Sequence, residues 1–138
     1  MLIYIIIGND RRPFGRLLEH VANIIDEDDK TDILVQHGYT QKLKRRNWTW
    51  NDFFDSEKHR ANLIQADIII AHAGAGTLID CINHSKRPLL LPRLKKYDEH
   101  KNDHQMEIYK FALENNLAYA LSKEDVFRHD QFKVNKRY

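Results

Sequence analysis

A chain of 138 residues, 42% hydrophobic and 30% charged, can bury the core of one soluble domain and leaves little for a second. Its 22 Lys and Arg against 20 Asp and Glu leave a net charge of +2, which does not support a nucleic-acid binder. The single cysteine, Cys81, excludes an internal disulfide and fits a reducing compartment.

Leu2 to Ile7 is short, apolar and rich in β-branched residues, the pattern of a strand buried on both faces. It has neither the basic segment before it nor the small-residue cleavage site after it that a secretory signal carries. No apolar run approaches the roughly 20 residues needed to cross a bilayer, so the cytosol is the expected compartment. Gly8-Asn9 ends the strand, either as an ordinary turn or as backbone turned toward a ligand. Phe14, Leu17, Leu18, Val21, Ile24 and Ile25 follow at helical spacing, with Pro13 suited to the first turn.

After a polar break at Asp26 to Asp29, Ile33 to Val35 reads as a second strand and 38–47 as a loop. Lys42, Lys44, Arg45 and Arg46 beside Trp48 and Trp50 are either a solvated loop or a contact for anionic headgroups or a partner. Trp48 to Phe54 reads as a strand of imperfect alternation, and Ser56 as the cap of a helix to Gln65. Ile68 to Ala71 is another buried strand, His72 to Thr77 a loop, and Thr77 to Asn83 a helix. Arg87 to Leu91 is a strand stopped by Pro92, and a charged loop follows whose Arg93, Lys95 and Lys96 either meet a diphosphate or acidic sugar or simply face water. Asn102 to Asn115 patterns as a helix and Ala118 to Leu121 as a last strand. Ser122-x-x-Asp125 has the form of a capping box for a short helix, ahead of a basic tail. Strands alternating with helices predict an α/β fold, a parallel sheet with helices on both faces. Residues 1–121 form the domain, and 122–138 a short C-terminal extension.

The most informative stretch is His72-Ala73-Gly74-Ala75-Gly76-Thr77. Small residues directly after a buried strand let the backbone turn tightly and approach a ligand. The helix that follows offers unpaired N–H groups and the positive end of its dipole to phosphate oxygens. Thr77 adds a hydroxyl and His72 a donor. The loop lacks the spacing of a dinucleotide fingerprint and the lysine of a P-loop. The same residues also suit a plain helix–sheet packing turn with Thr77 as its N-cap.

Three blocks in order bring a family into view: His72 to Asp80, Arg87-Pro88-Leu89-Leu90-Leu91-Pro92-Arg93, and Glu99 to Gln105. With Ile5 to Asn9, Pro13 to Leu18 and Val35 to Gly38, they resemble the C-terminal domain of family 28 glycosyltransferases. The likeness is strongest to its small single-domain members, soluble subunits of two-part UDP-sugar transferases, including bacterial exopolysaccharide and capsule enzymes. The resemblance implies a Rossmann-like, three-layer domain, the C-terminal half of a GT-B enzyme, that binds a nucleotide sugar. It implies that Gly8, Asn9, His72, Gly74, Ala75, Gly76 and Thr77 border the diphosphate, Asp80 the ribose, and His104 and Gln105 the sugar. The alternative readings are a capping-box partner of Thr77 for Asp80, a solvated first-turn residue for Gln105 and helix-capping chemistry for His104. The implied donor is a UDP-sugar, with no cofactor and no metal. The implied partner is a membrane-associated subunit that supplies the N-terminal acceptor domain and the catalytic base. The implied acceptor is a lipid-linked saccharide at the cytoplasmic face of the membrane.

His100-x-x-x-His104 has zinc-like spacing if both lie on one helix, but no third ligand is indicated. Cys81 reads as a small core residue. Two further readings stand beside the transferase: a non-catalytic nucleotide-sugar sensor, and another Rossmann-like enzyme that binds a dinucleotide.

Overall fold

The computed structural model describes residues 1–27 and 29–121, together with two short strands at Val126–Arg128 and Gln131–Lys133. Its elements are β1 (Leu2–Ile6), α1 (Gly15–Ile24), β2 (Asp32–Gln36), β3 (Trp48–Asn51), α2 (Ser56–Gln65), β4 (Ile68–His72), α3 (Ala75–Asn83), β5 (Leu89–Leu91), α4 (His104–Glu114) and β6 (Tyr119–Ala120). These six strands form one sheet in the order β3-β2-β1-β4-β5-β6, and every neighbouring pair is parallel. The last two strands, β7 (Val126–Arg128) and β8 (Gln131–Lys133), pair antiparallel with each other. The capping box expected at Ser122 lies outside the described residues.

Residues along a strand alternate between faces, so β1 feeds two cores at once. Ile3, Ile5 and Ile7 pack with Leu17, Leu18 and Val21 of α1 on one side. Tyr4 and Ile6 pack with Leu63 of α2, Leu78 and Cys81 of α3 and Ala112 of α4 on the other. This is the doubly wound, three-layer α/β architecture that the alternation of strands and helices predicts. All five residues of β4 are buried. Each fully buried Ile or Leu contributes about 1.5–3 kcal/mol, which is why the near-continuous apolar runs sit at the centre of the sheet.

Several local expectations shift. α1 starts at Gly15 with Phe14 at its N-cap, so Pro13 lies just outside the helix rather than in its first turn. Its entry is held instead by the Phe14 N–H, which donates to Thr40 Oγ1 at 3.0 Å. Asp55, not Ser56, caps α2, its carboxylate accepting from the Lys58 N–H at 2.8 Å. The third strand ends at Asn51, and α4 begins at His104, two residues later than the pattern suggests. Arg45 is not a loose member of the basic loop. It donates to the Ile25 carbonyl at 2.7 Å, just past the last turn of α1, and lies over Trp48 at 5.3 Å.

Candidate functional site

Strand order reverses direction between β1 and β4, and in such sheets the crevice beyond their carboxyl ends is the place for a ligand. A cleft of about 560 Å³ opens there, a volume in the range of small-molecule sites. Its lining includes every predicted site residue: Gly8, Asn9, His72, Gly74, Ala75, Gly76, Thr77, Asp80, His104 and Gln105. The fold therefore gathers all of them at one cleft. It also sorts their roles, and several differ from the expectation.

α3 begins two residues earlier than predicted, with Gly74 at the N-cap, so Thr77 sits in the first turn and caps nothing. The first intrahelical bond runs from the Leu78 N–H to the Gly74 carbonyl at 3.0 Å. The N–H groups of Ala75, Gly76 and Thr77 thus have no partner inside the helix, at its positive end. A Cβ at Gly76 would meet nothing within 4 Å, which leaves the backbone there open to a close ligand.

His72 is buried beneath this loop. Its Nε2 lies 3.0 Å from Thr77 Oγ1 and its Nδ1 lies 3.1 Å from the Gln105 amide nitrogen. Burial first, and then the nearby Arg93 guanidinium, push its pKa down to about 3, so the ring is neutral near pH 7. Both nitrogens are occupied, so the direct donation to an anion expected of His72 is replaced by a bond to Thr77. Gly8 and Gly74 make room for this ring: a Cβ on Gly8 would stand 2.6 Å from His72 Cε1, and one on Gly74 would overlap the same atom. Gly8 adopts φ +92°, which only glycine takes readily. Its N–H donates to Gln36 Oε1 at 2.9 Å and its carbonyl accepts from Gln36 Nε2 at 3.1 Å. Gly8 is a wall of the cleft whose own amide is occupied, while exposed Asn9 is the neighbour turned to it.

Asp80 is not a capping partner of Thr77. Its carboxylate lies 3.3 Å from His59 Nε2, and His59 Nδ1 is 2.8 Å from the Tyr4 hydroxyl. A carboxylate only accepts, so the Asp80 contact takes an Nε2–H from His59, and the tautomer that leaves Nδ1 bare accepts the Tyr4 hydroxyl. Burial pushes Tyr4 up to about 12, which keeps that proton in place. Tyr4 and His59 both line the cleft and neither was predicted as a site residue. The available signal was a tyrosine inside an isoleucine run: a buried phenol requires a hydrogen-bond partner.

Gln105 is 5% exposed, and its Oε1 accepts from the Arg93 N–H at 3.0 Å. One N–H and one lone pair of its amide remain for the cleft. His104 is exposed, its backbone N–H held by Asn102 Oδ1 at 3.0 Å. His100 precedes α4 rather than lying on it, so the zinc-like pairing with His104 on one helical face does not form. Arg93 is fully buried and makes no part of the lining, so it does not meet a phosphate in the cleft as one reading of the loop expects.

Residues 3–128 match the model of the glycosyltransferase family 28 C-terminal domain. The chain belongs to that family. A solved structure described as the glycotransferase of kitacinnamycin is similar in fold, with a TM-score of 0.55 at 12% identity over 86% of this chain. The family 28 domain seen here spans 30% of that longer chain. Comparison with curated proteins returns no match. Among the described residues no helix is long and apolar enough to cross a membrane.

Proposed function

We propose that this family 28 domain is the donor-binding component of a two-part glycosyltransferase. It uses a UDP-sugar and acts on a lipid-linked saccharide in surface-polysaccharide synthesis, with a membrane-associated partner providing the acceptor domain. The observation that carries the donor site is the set of open N–H groups at Ala75, Gly76 and Thr77, facing a cleft at the sheet's switch point. A diphosphate resting there receives backbone donors and the helix dipole together. Asp80, about one turn further along α3, is then placed for the ribose hydroxyls, and His104 with the remaining amide valences of Gln105 for the hexose. Asn9 closes the phosphate end.

Sugar transfer breaks the anomeric bond and leaves negative charge on departing UDP. Preformed donors that stabilise this charge need not reorganise as it develops. The acceptor hydroxyl must also lose a proton, and we assign that base to the partner, together with attachment to the membrane face. The donor site as drawn uses no metal. Titration calorimetry of the purified chain is expected to show binding of UDP and a UDP-sugar, and a preference for NAD would overturn the donor assignment. Transfer to a lipid-linked acceptor is expected only on reconstitution with the partner subunit. Full transfer by the 138-residue chain alone would overturn the two-part reading, and donor binding that supports no transfer in any reconstitution would mark a regulatory module.

A further inference from the structure

We propose that Gln105 and His72 are positioning residues that fix the direction of the Thr77 hydroxyl, so that its proton is always presented to the donor's diphosphate. The identity of the ligand rests on the donor-site reading, whereas the hydrogen-bond chain itself does not.

The chain starts at a group with no choice. The Arg93 backbone N–H can only donate, and it stands 3.0 Å from one end of the Gln105 amide. That end is therefore the oxygen. The other end is the NH2 group, 3.1 Å from His72 Nδ1, and it too can only donate. Nδ1 must then accept, which leaves the proton of the neutral ring on Nε2. Nε2 is 3.0 Å from Thr77 Oγ1, so the threonine oxygen accepts. Its own proton cannot point back at the ring and is directed elsewhere. Thr77 lines the cleft, with Ala75 and Gly76 beside it. The opposite tautomer would turn the Thr77 proton inward and present a lone pair to an anion.

Packing keeps the ring in this arrangement. It fills the space above Gly8 and Gly74, where no Cβ fits, and burial disfavours the imidazolium form that would donate from both nitrogens. Gln105 thus gains a role different from a sugar contact: it chooses which histidine nitrogen carries the proton. The arrangement resembles the way a group behind a histidine sets the tautomer at a metal or catalytic site.

Long-range proton–nitrogen NMR of uniformly labelled protein reads the tautomer directly, with the His72 signals assigned by their loss in His72→Gln. The expected result is a protonated Nε2 and a bare Nδ1, unchanged when UDP is added. A protonated Nδ1 in the wild type, or a mixture of the two forms, would overturn the proposal. Gln105→Glu replaces the donor with an acceptor, and should move the ring's single proton from Nε2 to Nδ1 and weaken UDP binding about tenfold. In this variant Thr77→Val should cost little further affinity, since the hydroxyl is already turned away. A bare Nε2 in this variant with wild-type UDP affinity would also overturn it, as would an Nε2 that stays protonated with the tenfold loss. Should Gln105→Glu fail to fold, the wild-type tautomer alone decides. A protonated Nε2 in a wild-type protein that binds no UDP would support the chain and sink the donor reading.

Discussion

Arg93 Nη2 donates to the carbonyl of Ile7 at 2.9 Å, joining residues 86 apart and tying the end of the first strand to the loop after β5. The same guanidinium donates through Nη1 to the carbonyls of Arg12 at 2.7 Å and Glu99 at 3.0 Å, and lies over the Phe14 ring at 4.9 Å. Glu99 in turn holds Arg16 of α1 at 2.8 Å and 3.0 Å, a two-pronged pair. Burial lowers the pKa of Arg93, opposed by Asp10 and Glu99 nearby. The side chain that resembled a ligand for phosphate is a clamp beneath the site.

A buried cation bound to carbonyls tolerates no change of shape. Arg93→Lys keeps the charge but cannot reach the same acceptors in a fork, and should cost about 3–5 kcal/mol of stability. Urea denaturation measures this, and an unchanged midpoint would show that the clamp is dispensable.

Two glycines three positions or fewer from Thr77 should behave oppositely. Gly74→Ala drives a Cβ into His72 and should destabilise the fold by about 1–3 kcal/mol. Gly76→Ala lies in the first turn of α3 with open space around it, so the fold should be as stable or slightly more so. UDP affinity should still fall several-fold, because the added methyl stands where the ligand approaches. Thermal melts with and without UDP separate the two effects.

Thr77→Val keeps the shape and removes the hydroxyl. A hydrogen bond to a charged group contributes about 1.5–3 kcal/mol, so UDP binding should weaken about tenfold or more, while the His72 Nε2–H left without its acceptor lowers stability by about 1–3 kcal/mol. Calorimetric titration checks both.

The proposed donor site sets Asp80 on the nucleoside side, away from the phosphates. Asp80→Ala should therefore weaken UDP about tenfold while leaving pyrophosphate binding within twofold. Equal losses for both ligands would remove the ribose assignment.

The depressed pKa of His72 has a definite sign. Unfolded, the ring takes a proton below about pH 6.5, whereas the folded ring resists it until about 3. Its contribution is complete above pH 6.5 and is lost as pH falls through that window, at up to about 1.4 kcal/mol per unit. Denaturation curves between pH 4 and pH 7 should show a shallower slope for His72→Gln than for the wild type; identical slopes would count against the buried neutral ring.

Much of this is legible in the order of residues alone. Leu2 to Ile7 and Ile68 to Ala71 read as buried strands because their apolar runs are continuous, and both are central in the sheet. The small-residue loop after β4 and the three-block resemblance located the cleft. Element ends were less legible: Asp55 and Ser56 are both good caps, and only the bond to Lys58 shows which serves.

By itself, the order of residues determined the α/β class, the family, and which loop borders the cleft, because periodicity and small-residue turns are local properties of the chain. Tertiary structure alone decided what each polar group touches. Tyr4 meets His59 across 55 positions, His72 meets Gln105 across 33, and Gln36 meets Gly8 across 28. Such pairs depend on how helices seat against a twisted sheet, where an ångström makes or breaks a hydrogen bond, and no spacing rule along one chain encodes that distance.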